Sequence, residues 1–243
     1  MIKWIYCWSD DIDMTDIKTI ILGVISSGLF AVIVYILNKL KIIEPFAYHK
    51  AKKRIVSAGI VTFYSKRSTF TKDAGTIGCY VSKAKKEVNY IGFWLSNGLQ
   101  HQDLIEKIVE QINKGVKFNF CVISPNSPLI DYYADFFGED KESVVAQINT
   151  CISTLKNLRK NLQYDKQQHL RILLHEKIVT TTFWVIDPEE NKSMIQLDHK
   201  IYNLPRHYTY GFQIKKKRSN QSFYVNLVKA YLEIMSSAED ISM

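Results

Sequence analysis

Two stretches that read as strands covered on both faces bracket one amphipathic helix, and nothing else in the chain narrows its fold as much. The first, NYIGFWLS (89–96), carries no charge, and the second, VKFNFCVIS (116–124), carries a single lysine near its start. Near-continuous apolar runs of this kind belong to strands with helices above and below the sheet. Between them, HQDLIEKIVEQINKG (101–115) sets Leu104, Ile105, Ile108, Val109 and Ile112 on one side and stops at Gly115. Strand, helix and strand in this order imply a parallel, right-handed crossover.

The remaining pattern extends that unit. GIVTFYS (59–65) reads as a strand, and TIGCYVSKAKKEV (76–88) as a helix with Ile77, Tyr80, Val81, Ala84 and Val88 at helical spacing. Residues 143–162 read as a longer helix striped by Val144, Ile148, Ile152, Leu155, Leu158 and Leu162. Strands follow near 170–175, 178–186, 193–198 and 208–214, then a last helix over about 221–236. The expected fold class is α/β, a mixed sheet flanked by helices. Ligands on such sheets sit at the carboxyl ends of the parallel strands. Those ends carry Ser96, Asn97 and Gly98 in one loop and Ser124, Pro125, Asn126 and Ser127 in the next. Small polar residues there suit an oxygen-rich ligand, and the same residue types also build turns.

Thr19 to Leu37, TIILGVISSGLFAVIVYIL, is free of charge. At helical rise it spans roughly 28 Å, close to the hydrocarbon thickness of a bilayer. The start of the chain is acidic, with Asp10, Asp11, Asp13 and Asp16, and no small-residue cleavage site follows the run, which argues against a secretory signal. One transmembrane helix is therefore expected at 19–37. Residues 1–18 would precede it, 38–58 would form a basic connector, and 59–243 would form the folded domain. Lys39, Lys41, Lys50, Lys52, Lys53 and Arg54 follow the run against Glu44 alone, which orients the C-terminal part to the cytoplasm of an inner, plasma-membrane location and the N-terminus outside. Trp4, Tyr6 and Trp8 could anchor at the interface, and the basic cluster could rest on anionic lipid. Gly23 and Ser27 form a small-xxx-small pair compatible with a homo-oligomer.

The net charge of +8 fits a negatively charged partner such as nucleic acid, nucleotide or lipid. The four cysteines contain no CxxC pair, so neither a zinc site nor a disulfide framework is implied. Cys79, Cys121 and Cys151 read as reduced core residues. No P-loop, dinucleotide fingerprint, HExxH or GxSxG is present, and no cofactor or metal is implied.

One motif remains. LLHEKIVTTTFWVID (173–187) contains His175 and Lys177, which alternation along a strand would set on one face. Together with GIVTFYSKRSTF, the run YVSKAKKEVNYIGFWLSNG, the run INKGVKFNFCVISP and the segment LRILLHEKIVTTTFWVIDPEENKSMIQLDHKIYNLPRHYTYGFQI, this stretch resembles the phospholipase D-like domain over roughly residues 59–214. The resemblance is closest to divergent members found in bacterial signalling and defence proteins. In that family a His-x-Lys, four residues and an Asp form the signature, the histidine attacking phosphorus and the lysine holding phosphate oxygens. Here the acid position is Thr182, Asp187 comes five residues too late, and no second His-x-Lys exists, although a homodimer could supply one. The resemblance thus implies a phosphodiesterase scaffold that has lost its chemistry. It leaves His175 and Lys177 as an expected anion site, which the cations Arg67, Lys200 and Arg206 and the strand-end residues Ser96, Asn97, Ser124 and Asn126 could join. Aromatic residues Tyr202, His207 and Tyr208 lie among the last two cations, a combination that can hold phosphate and stack a base. The expected function is a membrane-anchored sensor or effector for a phosphate-bearing ligand, a cyclic nucleotide being one candidate, in anti-phage defence. The alternatives are an active homodimeric phosphodiesterase or nuclease using His175 and Lys177, and a membrane adaptor without a small ligand.

Overall fold

The computed structural model describes residues 18, 32–33, 35–36, 39, 43–65, 75–95, 99, 101–204 and 209–242. The expected membrane helix at 19–37 lies almost wholly outside them. Among the described residues no helix is long and apolar enough to cross a membrane. The chain divides into two compact units, Met1–Arg54 and Ile55–Met243. A helix, α1 (Ile43–Ser57), runs across that division, and its residues from 49 to 56 are exposed.

The second unit is built on one mixed sheet. In chain order its elements are β1 (Ile60–Tyr64), α2 (Ile77–Val81), β2 (Glu87–Ile91), α3 (Gln102–Asn113), β3 (Lys117–Ile123), α4 (Ile130–Phe137) and α5 (Lys141–Lys160). There follow α6 (Tyr164–Gln167), β4 (Leu170–His175), β5 (Thr181–Ile186), β6 (Met194–His199), β7 (Tyr210–Lys215), a 3-10 turn at Arg218–Asn220, α7 (Gln221–Ser236) and β8 (Glu239–Asp240). The strands lie in the order β1-β7-β6-β5-β2-β3-β4-β8. β2, β3 and β4 are parallel; β5, β6, β7 and β1 continue antiparallel from β2, and β8 closes the far side against β4.

Alternation divides the core into two layers. Tyr90, Phe118, Phe120 and Trp184 face α3 and α5, where Ile108, Ile112, Val144, Ile148 and Leu155 meet them. Ile91, Cys121, Phe183, Val185, Ile195 and Ile214 face α7, which contributes Tyr224 and Val228. Each fully buried side chain of this size contributes about 2–3 kcal/mol relative to exposure. The α5 stripe lies where its periodicity places it, and the Asp140 carboxylate caps the helix by accepting from the Ser143 N–H at 2.7 Å.

Three local readings are corrected. The helix expected over 76–88 ends at Val81, and Val88 belongs to β2. The cause is Asp187, whose carboxylate accepts from the backbone N–H groups of Lys85, Lys86 and Glu87 at 2.9, 2.8 and 2.9 Å and holds them out of any helix. The strand expected over 89–96 ends at Ile91, because Phe93 and Trp94 leave the sheet for an aromatic cluster with Tyr133 and Phe137. Cys79, expected in the core, is exposed, whereas Cys121 and Cys151 are buried and burial pushes their thiols up to about 12 and about 11.

Candidate functional site at the carboxyl edge of the sheet

Strand direction brings one set of residues to a single edge. There lie the carboxyl ends of β2, β3 and β4, the amino end of β5, the carboxyl end of β6, the amino end of β7 and the carboxyl end of β1. His175, Lys177, Thr182, Ser124, Asn126 and Lys200 all belong to this edge or its loops. Arg67, Ser96, Asn97 and Arg206 lie outside the described residues.

β4 and β5 are consecutive in sequence, yet β3 and β2 stand between them. Residues 176–180 must therefore cross three interstrand gaps, about 14 Å, with about 20 Å of reach at full extension. The chain leaves β4 at His175 and rejoins the sheet at Thr181. The strand expected from 178 onward consequently starts later, and the expectation that His175 and Lys177 share a strand face does not hold. His175 is buried at 1% exposure, and Lys177 is exposed in the crossing segment.

The imidazole of His175 is engaged at both nitrogens. The Lys177 backbone N–H donates to Nδ1 at 3.2 Å, and Nε2 stands 2.9 Å from the Gly92 carbonyl oxygen. An N–H must donate and a carbonyl must accept, so Nδ1 carries the lone pair and Nε2 the proton. Burial lowers the pKa of this histidine from its ordinary value, partly opposed by these bonds, and keeps the ring neutral. A ring in this state offers no free lone pair for attack on phosphorus.

Thr182, in the position where the family's acid would stand, is buried in β5, and its methyl group lies where a Cβ on Gly92 would reach it at 3.1 Å. Its cross-strand partner on β6 is Asp198. This carboxyl group is 1% exposed, and burial pushes it up to about 6, with Lys200 pulling the other way. The Tyr64 hydroxyl donates to it across Gly211, where a Cβ would meet that hydroxyl at 2.5 Å. Gln196 and Gln213 lie buried beside this pair and are joined to each other at 3.3 Å. The sequence reading missed Asp198. Alternation along β6 sets Asp198 on the face opposite Ile195 and Leu197 and so reads it as solvent-facing; only the cover over both faces of this strand buries it.

The polar residues of the 124–127 loop are largely spent on the loop itself. The Ser124 hydroxyl accepts from the Asn126 N–H at 3.3 Å, and the Ser127 hydroxyl accepts from the Leu129 N–H at 3.2 Å. The Asn126 residue itself is exposed.

Helix α4 organises the outer part of the edge. The Tyr133 hydroxyl accepts from the Val179 N–H at 2.7 Å and stands 3.1 Å from the Lys177 carbonyl, to which it donates, pinning the crossing segment. Burial raises this phenol to about 12. The next turn of α4 holds the loop after β6. The Asn203 N–H donates to the Phe136 carbonyl at 2.9 Å, and the Tyr202 hydroxyl reaches the Asp135 carboxylate at 3.2 and 3.3 Å. The Lys200 N–H in turn donates to the Thr180 carbonyl at 3.0 Å, and its ammonium reaches the Thr209 hydroxyl at 3.4 Å. Lys177 and Lys200 are thus carried on two loops tied to one helix. The sequence did advertise α4: Ile130, Tyr133, Ala134 and Phe137 recur at helical spacing before Gly138, which ends the helix at φ 63°. Among the described residues no cluster of His, Cys, Asp or Glu could hold a metal ion.

No family model matches the sequence, and no curated protein matches it. Among solved structures, the chain is similar to Nuc, a phospholipase D family member from Salmonella typhimurium, with a TM-score of 0.42 and 5% identity over 68% of this chain and 87% of that one. It is similar to phosphatidylserine synthase from Haemophilus influenzae Rd KW20, with a TM-score of 0.49 and 13% identity over 74% of this chain and 39% of that one. It is also similar to TrmBL2, an archaeal chromatin protein described as having a novel mode of DNA binding, with a TM-score of 0.40 and 14% identity over 91% and 70% of the two chains.

Proposed function

We propose that this chain binds a phosphate-bearing ligand at the carboxyl edge of its sheet and does not cleave it. One observation carries the reading: both nitrogens of His175 are committed to backbone groups in a buried, neutral ring. The mixed α/β sheet expected from the sequence is present, and the cations carried on loops at its carboxyl edge, Lys177 and Lys200, support an anion-binding reading. The apolar run at 19–37 and the basic residues after it support a membrane-tethered form with this domain at the cytoplasmic face. In that form ligand binding would alter assembly at the membrane, provided one assembly state binds the ligand better. A signalling or anti-phage effector is the role this plan suits.

The full-length chain is expected to melt at a higher temperature with millimolar AMP, cyclic AMP or cyclic di-AMP, by mass action. Lys177→Ala and Lys200→Ala are each expected to weaken binding several-fold. His175→Ala should destabilise the fold by about 1–3 kcal/mol, since the Gly92 carbonyl loses its donor, with no turnover to lose. Hydrolysis of any phosphodiester that disappears in His175→Ala would establish the active phosphodiesterase instead. No thermal response to any of the three nucleotides would leave an adaptor without small ligand.

A further inference from the structure

We propose that Tyr202 and Tyr132 form a stacking surface for a nucleobase, so that the ligand of this edge is a nucleotide and not a base-free phosphate. The inference rests on the phosphate-binding reading above and names the ligand class.

The aromatic cluster of α4 is mostly sealed. Tyr133 is fully buried and Phe136 nearly so, but Tyr132 is 42% and Tyr202 is 56% exposed. The two exposed rings flank the same buried one. Tyr132 lies against Phe136 at 5.9 Å with the planes 28° apart, and Tyr202 meets Phe136 edge-on at 6.0 Å and 72°. Both are part of a packed aromatic assembly that continues through Phe93 and Phe137 into the core.

Tyr202 is also held in place. Its hydroxyl is bonded to Asp135, whose hydrogen bond raises the phenol pKa and keeps the proton on it. The backbone one residue on is bonded to Phe136, and Asn203 sits in the left-handed region at φ 52° with its side chain against Gly138, where a Cβ would meet the Asn203 oxygen at 2.5 Å. A ring anchored by its hydroxyl and by its backbone loses little rotamer freedom when a flat ligand stacks on it. Every base has a π-face to offer, so such a surface recognises bases as a class.

Lysines are carried on segments tied to both rings, while the nearby carboxylates are engaged, Asp131 by Lys141 and Asp135 by the Tyr202 hydroxyl. Tyr132 is adjacent to Tyr133, whose hydroxyl holds the Lys177 carbonyl, and Lys200 lies two residues before Tyr202. A nucleotide has the matching layout, a flat uncharged ring joined to an anion. A lipid headgroup or free phosphate would use the cations and leave the rings idle.

The test compares AMP with ribose 5-phosphate, which shares its sugar and phosphate and lacks the base, by calorimetry on the full-length chain. AMP is expected to bind about tenfold or more tighter, the range of one base-aromatic stack. Tyr202→Ala should bring AMP to the level of ribose 5-phosphate without changing the latter. Tyr202→Phe, which keeps the ring, should stay within about threefold of the native chain and guards against misfolding as the cause. Equal binding of the two probes, or an AMP preference that survives both Tyr202→Ala and Tyr132→Ala, overturns the nucleobase assignment and leaves the phosphate reading standing. Absence of binding by both probes overturns the nucleobase assignment, and with it the phosphate reading if cyclic AMP and cyclic di-AMP also fail to bind.

Discussion

Replacing Asp187 with alanine is expected to lower the unfolding free energy by about 4 kcal/mol. The carboxylate is 7% exposed and accepts three backbone N–H groups at the start of β2. Hydrogen bonds to a charged group contribute about 1.5–3 kcal/mol each, and water entering the vacated site recovers part of the loss. Asp187 also has φ 46°, a region that costs alanine about 1–2 kcal/mol and asparagine less. Asp187→Asn, which keeps the backbone preference and one accepting oxygen, should lose only about 1–2 kcal/mol. Urea titrations of the three proteins measure this, and an alanine variant within 1 kcal/mol of the native chain would show that these bonds do not set the start of β2.

Asp198→Asn is expected to act in the opposite direction. The carboxyl group titrates near 6 in the fold, against 3.8 for the unperturbed group, because burial disfavours its charge. A carboxyl pKa raised on folding means that the folded state holds the proton more tightly. The associated stability is fully present below pH 3.8, is lost as pH rises through 6, and is absent above it. The difference corresponds to about 3 kcal/mol at neutral pH. Asparagine carries no charge at any pH and can still accept from the Tyr64 hydroxyl. The variant should therefore be about 2–3 kcal/mol more stable at pH 7.5 and nearly equal to the native chain at pH 4. Unfolding free energies across that pH range decide the matter; a variant less stable at pH 7.5 would mean that the charged form is the one the fold accommodates. A buried carboxylate that costs stability at neutral pH, at the carboxyl edge of the sheet, is a candidate functional position.

The parallel half of the sheet was legible because its cues are local. Apolar runs mark β2 and β3, and the stripe of α5 and the glycine after α3 mark their helices. The antiparallel half was legible as strands. What could not be read locally was the pairing that decides chemistry. The tautomer of His175 is set by the Gly92 carbonyl, 83 residues earlier, and the environment of Asp198 by Tyr64, 134 residues earlier. Alternation misplaced Lys177 because it assumes the strand continues, whereas strand order obliges residues 176–180 to bridge two intervening strands. Asp187 stands five residues beyond the acid position of the phospholipase D-like signature, and its carboxylate instead accepts from backbone N–H groups at the opposite end of β2.

The central claim is that this edge holds phosphate without attacking it, and phosphorus NMR of the full-length chain mixed with equimolar cyclic AMP tests it most directly. The account predicts a single phosphodiester resonance, broadened and shifted by binding, with an integral that stays constant over days. Growth of a phosphomonoester resonance, or a phosphoramidate signal that vanishes in His175→Ala, would contradict it.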